Sequence, residues 1–313
     1  MKARHLLTYG AVAAFALWCA AALRADLAQI SFAPLLAAPG LLLGVAALSL
    51  LNYGLRLWRW DWYLRRLGHQ LPPRLMGLGY LAGFAFTLSP GKVGEMVRAR
   101  YYQPAGVGLP ACAAAFFVER LMDLFAMLAL AAWGLAAIAG YAYLVWPVAA
   151  LLSGALATLA CTPWASLQTR FQGQSKRAQA VRGLLQILQD ARALLSPGIL
   201  LAGFALGVCA WGLEGLGLGL LARIYPAPAL AWPDACGIYA IAIIIGALSF
   251  LPGGLGSAEA AMTALLHHHG FTLPQALLLT LACRLLTLWL AVLLGWLAVW
   301  RLQYDSSYSS GPI

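Results

Sequence analysis

The chain has 313 residues, 63% of them hydrophobic and 10% charged, with a formal net charge of +10 and a mean hydropathy of +0.81. A soluble domain of this length needs a larger polar surface, so the composition places the chain among multi-pass membrane proteins, with length bounding the number of spans. The positive balance does not point to nucleic acid: the basic residues fall between apolar segments, leave no soluble binding face, and read as topology signals.

The opening "MKARHLLTYGAVAAFALWCAAALRADLA" has the charged start and apolar middle of a signal peptide without a small-x-small cleavage site, so it predicts a retained first span over 6–23. Further crossings are expected over 35–55, 111–139, 143–161, 199–222 and 273–300, each near the roughly 20 residues a bilayer core requires. Two shorter apolar stretches, 75–88 and 235–250, run into the Pro-Gly clusters "SPGKVG" and "LPGGLG". Irregular backbone at membrane depth is tolerated only where protein or a water-filled cavity covers it, so both predict re-entrant helical hairpins. The expected fold is an all-α polytopic bundle of six full spans and two re-entrant hairpins.

Loop charges orient it. Lys2 and Arg4, then Arg56, Arg59, Arg65, Arg66 and Arg74 against Asp61, then Arg170, Lys176, Arg177, Arg182 and Arg192 against Asp190, mark three cytoplasmic segments. Segments 24–34, 140–143 and 223–234 hold only Arg24 and Arg223, offset by Asp26 and Asp234, and read as external. Both termini, including a tail over 302–313, are thus expected in the cytoplasm, with the protein in the bacterial inner membrane. Trp58, Trp60, Trp62 and Tyr63 read as an interfacial aromatic belt. Over 176–195, Val181, Leu184, Leu185, Leu188, Ala191 and Leu195 share one helical face opposite Arg177, Arg182, Gln186 and Gln189, which predicts a helix on the cytoplasmic surface.

The halves repeat. A shift of 164 residues puts Glu95 on Glu259, Leu109-Pro110 on Leu273-Pro274 and Arg120-Leu121 on Arg284-Leu285; a shift of 162 puts Pro90-Gly91 on Pro252-Gly253 and Gly94 on Gly256. The expected units are 1–142, with a hairpin over 75–104 and a span over 111–139, and 143–301, with the surface helix, a hairpin over 235–269 and a span over 273–300. By the charge-derived topology the hairpins enter from opposite sides, making the repeats inverted, a plan that lets two halves expose one site alternately to each side of a membrane.

An ionised side chain at mid-bilayer costs about 2.5–3.5 kcal/mol on insertion scales, so retained charges face the interior, pair and mark a pathway. Here they are Lys92, Glu95, Arg98, Glu119, Arg120, Asp123, Glu214, Glu259 and Arg284. Glu119, Arg120 and Asp123 share one turn, and Arg98 reaches Glu95. These pairs either lock the hairpins to the long helices or line the pathway. Lys92 and Arg98 lean towards substrate, beside a break whose following helix is expected to begin near Val93 and to offer its N-terminus to an anion, with Gly91 and Gly94 permitting close approach of a phosphate. The second break differs: Gly254 stands for Lys92, Met262 for Arg98, Cys283 for Glu119 and Thr287 for Asp123. Glu214, in a helix where Gly215 and Gly219 allow close approach, is expected to pair with an arginine such as Arg284, or to couple to protons. Candidate binding residues are therefore Pro90, Gly91, Lys92, Gly94, Glu95, Arg98, Arg120, Pro252, Gly253, Gly254, Gly256 and Arg284, with Glu119, Asp123, Glu214 and Glu259 as ionic network.

No metal or cofactor is expected: His267, His268 and His269 are consecutive and point to different helix faces, the six cysteines show no CxxC pair, and Gly91-Lys92 is followed by Val93 rather than by the Ser or Thr of a P-loop.

In "SPGKVGEMVRARYY", "FFVERLMDLF", "LSFLPGGLGSAEAAM" and "CRLLTLW", the chain resembles the flippase-like membrane family that includes the N-terminal membrane part of the bifunctional lysyl-phosphatidylglycerol synthase and flippase. The resemblance implies movement of lipids with charged or phosphate-bearing headgroups between leaflets, and functional weight for Lys92, Glu95, Arg98, Glu119, Arg120, Asp123, Glu259 and Arg284. Only "LQYDSSYSSGPI" follows Arg301, so the soluble aminoacyl-transferase domain, and with it lipid synthesis, is not implied. The leading expectation is a lipid translocator and not an enzyme. Its alternatives are a membrane-embedded enzyme on lipid-linked (polyprenyl-phosphate) substrates, with Glu119 and Asp123 as acid and base, and an accessory partner of a lipid-modifying enzyme or glycosyltransferase docked through 176–195.

Overall fold

The computed structural model describes residues 31–135, 145–168 and 176–309, and among these every regular element is a helix. The expected span over 6–23 lies outside them, as does Cys19. In chain order the helices are α1 (Ala33–Leu36), α2 (Pro39–Arg66), α3 (Pro73–Phe84), α4 (Arg98–Tyr102), α5 (Leu109–Leu135), α6 (Val145–Cys161), α7 (Trp164–Gln168), α8 (Lys176–Ala193), α9 (Pro197–Ala222), α10 (Trp232–Leu248), α11 (Ser257–His268), α12 (Leu273–Arg284) and α13 (Leu290–Ser309). Short 3₁₀ segments occupy Pro90–Val97 and Pro252–Gly254, and a π turn over Leu285–Trp289 joins α12 to α13.

Local chemistry sets the boundaries. Prolines open α2, α3, α9, α10 and α12, where a missing N–H costs nothing. α2 ends on Arg65 and Arg66, cations suited to a helix C-terminus, followed by Gly68 at φ 87°. Thr272 and Gln275 cap α12 reciprocally.

By length and composition, three stretches among the described residues are able to cross a bilayer: Pro39–Arg66, Pro197–Ala222 and the continuous run Leu273–Tyr304. They match the crossings expected over 35–55, 199–222 and 273–300. α5 is only one residue shorter than α2 but carries Glu119, Arg120 and Asp123 at its middle, and the helix over Pro147–Cys161 is apolar but short.

α2 packs along α9, α10 against α5, and α3 against α13. Two polar hooks fix the α2–α9 register: Asn52 Nδ2 donates to Ala210 O at 2.7 Å, and Ser49 Oγ to Glu214 Oε2 at 2.9 Å. At Gly215 a Cβ would stand 2.6 Å from Cys236 Cα, so the expected close approach of that helix is real and its partner is α10. The apolar interior forms two main clusters. One gathers α9 to α12, the other α2, α3, α4 and α8, and α5 serves both, with Met127 and Leu130 in the first and Val118 and Met122 in the second.

Two expectations near the polar segments need correction. α2 runs unbroken through Arg66, so Arg56 and Arg59 are buried helix residues and not loop charges. Of the supposed belt, Trp60 and Tyr63 are fully buried, leaving Trp58 exposed. α8 packs on α5 and α7, burying Leu185 and Ala191 while Leu184 stays exposed.

Candidate functional site

Each Pro-Gly cluster breaks its helix in the same way. Gly91 has φ 60° and ψ 15°, and Gly253 has φ 63° and ψ 11°. The residues that follow, Lys92 at φ 57° and Gly254 at φ 68°, also lie in the left-handed region. A lysine there is strained by about 1–2 kcal/mol relative to glycine, a cost that surrounding structure sustains mainly at functional positions. The breaks touch: a Cβ on Gly253 would lie 2.6 Å from Leu88 Cδ2.

Where they meet is a cavity of about 220 Å³, lined by Gly91, Lys92, Arg120, Asp123, Gly253, Gly254 and Arg284 among apolar neighbours such as Trp211, Ile243 and Leu288. A polar chamber of about 40 Å³ adjoins it through Lys92 and Arg284, and is lined by Arg56, Thr87, Glu95, Glu214, Tyr239 and Thr287 as well. Lys92 faces both spaces, with Nζ 5.4 Å from the Trp211 ring centroid, and among the described residues no carboxylate lies within ion-pair distance of it. Arg120 turns its guanidinium towards the cavity while Nη2 stays 3.1 Å from Asp123 Oδ2 and 3.2 Å from Glu119 Oε1.

Behind the cavity wall is a buried ionic cluster. Glu119 lies within 4 Å of four guanidinium groups: Arg56 (3.9 Å), Arg59 (3.5 Å), Arg98 (3.6 Å) and Arg120 (3.2 Å). Tyr80 donates to it at 3.1 Å. Asp123 pairs with Arg59 at 2.5 Å. Arg98, expected at the substrate, is fully buried between the rings of Trp60 and Tyr80 (4.4 and 4.6 Å), bound to Glu95 Oε2 at 2.7 Å and Glu95 O at 2.9 Å, and lines neither space. Its pairing with Glu95 is as expected, and its Nη1 lies 3.6 Å from Glu119 Oε2, so Arg98 links the first break to α5. Thr87 Oγ1 donates to the other Glu95 oxygen at 2.9 Å.

The second break is simpler. Arg284 Nε donates to Glu259 Oε1 at 2.5 Å and Nη2 to Gly253 O at 3.0 Å, while Gly256 N donates to Glu259 Oε2 at 2.6 Å. Glu214 therefore does not pair with Arg284 as expected; its partner is Ser49, which α2 brings to it.

A family model for the lysylphosphatidylglycerol synthase TM region matches residues 6–295. The chain belongs to that family. Among curated proteins none matches it. Membership in the lysylphosphatidylglycerol synthase TM family makes this a membrane protein tied to lipid handling, and the matched range holds both breaks, the cavity and the ionic cluster.

Within this family member, the sequence-expected residues sort into five groups. Gly91, Lys92, Arg120, Asp123, Gly253, Gly254 and Arg284 meet at the cavity; Glu95 and Glu214 reach the adjoining chamber; Glu119 and Arg98 stand behind them. Pro90, Gly94 and Pro252 line neither space and shape the turns instead, with Gly94 N donating to Ser89 Oγ at 2.6 Å. Gly256 and Glu259 face a separate groove. As expected, a helical segment follows the first break: only Gly91 and Lys92 leave helical backbone angles, and from Val93 the chain runs as 3₁₀ turns into α4, which has only five residues, so the aligned backbone dipole there is short. Sequence reasoning missed Arg56 and Arg59. Asn52, Arg56, Arg59 and Tyr63 recur at helical spacing on one face of α2, a signal that a reading of the segment as a loop concealed.

Proposed function

We propose that the protein is a lipid translocator that moves a lipid with a phosphate-bearing or otherwise charged headgroup between leaflets, in the bacterial cytoplasmic membrane with both termini inside. The observation that carries this reading is the cavity between the two breaks, where Lys92 has no carboxylate within ion-pair distance among the described residues and Arg120 and Arg284 add positive charge inside an apolar wall. Such a site attracts an anion strongly, because little water screens the charges.

The packing supports two exchangeable halves. If α2 corresponds to α9, α3 to α10 and α5 to the run from α12 to α13, then α3 against α13 is the counterpart of α10 against α5, and α2 against α9 maps onto itself. We read this as the inverted repeat, with 1–142 and 143–301 as its units and the breaks as re-entrant elements whose exposure alternates.

An enzyme using Glu119 and Asp123 as acid and base is the weaker reading. Glu119 is fully buried outside the cavity, Asp123 is held by Arg59 and Arg120, and carboxylates so paired are poor proton carriers. The deciding experiment places the purified full chain in vesicles of phosphatidylglycerol and phosphatidylethanolamine with a trace of headgroup-labelled lipid. Exchange between leaflets without covalent change is the expected result; a new lipid product would replace this reading with the enzyme, and neither result would leave the accessory role.

A further inference from the structure

Arg284 stands where three hollows meet. It is the one described residue shared by the central cavity, the polar chamber and a third space of about 530 Å³. That third space is a groove walled by Leu36 of α1, Leu42 of α2, Leu255 after the second break, Leu281 of α12, and Leu285 and Trp289 at the two ends of the π turn. Leu36, Leu281, Leu285 and Trp289 are exposed, so the groove opens on the outer face of the bundle. Among its described lining residues only Glu259 and Arg284 are charged. Their ion pair closes its inner end: Glu259 lines the groove, Gly253 lines the central cavity, and the Arg284 guanidinium bonds to both. The π turn adds its own irregularity here. π turns recur at functional positions in helices, and this one leaves Thr287 O to accept from Tyr53 Oη on the chamber side.

An apolar groove open to the hydrocarbon and a cationic cavity, separated by one guanidinium, together fit a molecule with a tail and an anionic head. A soluble anion has no use for the groove. We infer that the groove takes a hydrocarbon chain of the lipid whose head enters the central cavity, with the Arg284–Glu259 pair as the partition between tail and head. This rests on the translocation reading and extends it to the route of entry.

The test uses the full chain in phosphatidylglycerol vesicles doped with phosphatidylglycerol that carries a diazirine near the end of one acyl chain. After irradiation, peptide mass spectrometry is expected to find cross-links at Leu36, Leu281 or Leu285. The combined Leu281→Trp and Leu285→Trp variant, which fills the groove with two indoles at exposed positions, is expected to lose these cross-links and to slow headgroup-labelled lipid exchange about tenfold. Its calorimetric binding of glycerol phosphate stays at the wild-type value, since the cavity is untouched, and that binding also verifies folding. Leu201→Trp, an exposed site on α9 away from the groove, leaves cross-linking and exchange unchanged. Wild-type exchange in the double variant with no acyl cross-links in the groove overturns the inference while leaving translocation standing. Acyl cross-links in the groove of a wild-type protein that exchanges no lipid support the groove assignment and remove the translocation reading. Disulfide trapping of Leu285→Cys to a cysteine placed within residues 1–30, or to a second copy, also overturns the inference.

Discussion

The two Pro-Gly breaks share a left-handed turn of the backbone and differ in most of the charge around it. Around the first, Glu95, Arg98, Glu119, Arg120 and Asp123 join Arg56 and Arg59 in an ionic assembly, with Lys92 facing the cavity beside it; around the second, Arg284 pairs with Glu259. Packing enforces part of this difference. A Cβ at Gly254 would lie 2.9 Å from Gly246 Cα and 3.1 Å from Gly246 C, so no side chain fits where the first break carries Lys92. A symmetric backbone thus holds an asymmetric site. One break supplies the charge and the other supplies the close approach.

The largest effect expected from breaking this division is in the ionic assembly. Glu119→Ala leaves several buried guanidinium groups short of a partner, and losing one partner of a buried pair costs about 3–5 kcal/mol. Thermal unfolding in detergent is expected to show a large drop, or the variant is not recovered folded; a near-wild-type melting temperature would mean that the cluster does not hold the first break. Next is Gly254→Ala, which combines a left-handed backbone with a contact against fixed backbone atoms and is expected to cost about 2–3 kcal/mol. Gly91→Ala has the same φ penalty but only a 3.9 Å contact with Val93, so it is expected to be the milder of the two. Equal losses would erase the packing difference between the breaks.

Ser49→Ala removes the hydrogen bond to Glu214 in a buried setting and is expected to cost about 1–2 kcal/mol by the same measurement. The smallest stability effect has the opposite sign. Lys92→Gly relieves the left-handed strain, partly offset by the greater freedom of glycine in the unfolded chain, and is expected to raise stability by less than about 1 kcal/mol while reducing headgroup-labelled lipid exchange about tenfold. A gain in stability with undiminished exchange would remove Lys92 from the anion site and sharpen the role of Arg120 and Arg284.

Much of the fold was legible because membrane insertion writes itself into composition: apolar runs of fixed length, scarce charges and Pro-Gly clusters are constraints of the bilayer that act locally. The recurrence of Glu95 at Glu259 and Arg120 at Arg284 was readable for the same reason, since scarce residues at one spacing stand out in an apolar chain. Less legible was which charge meets which. Loop and helix arginines look alike in a sequence, so Arg56 and Arg59 passed for topology signals until α2 proved continuous.

The sequence by itself determined the membrane class, the positions of the two breaks and the set of charges that had to be satisfied indoors. Only the tertiary structure decided that Arg98 is sealed between Trp60 and Tyr80, that Glu214 answers to Ser49 and Arg284 to Glu259, and that Lys92 is left facing the cavity. The reason is physical: hydrophobic burial follows from local pattern, whereas ion pairing depends on distances between helices far apart in the chain, which are fixed only when those helices pack.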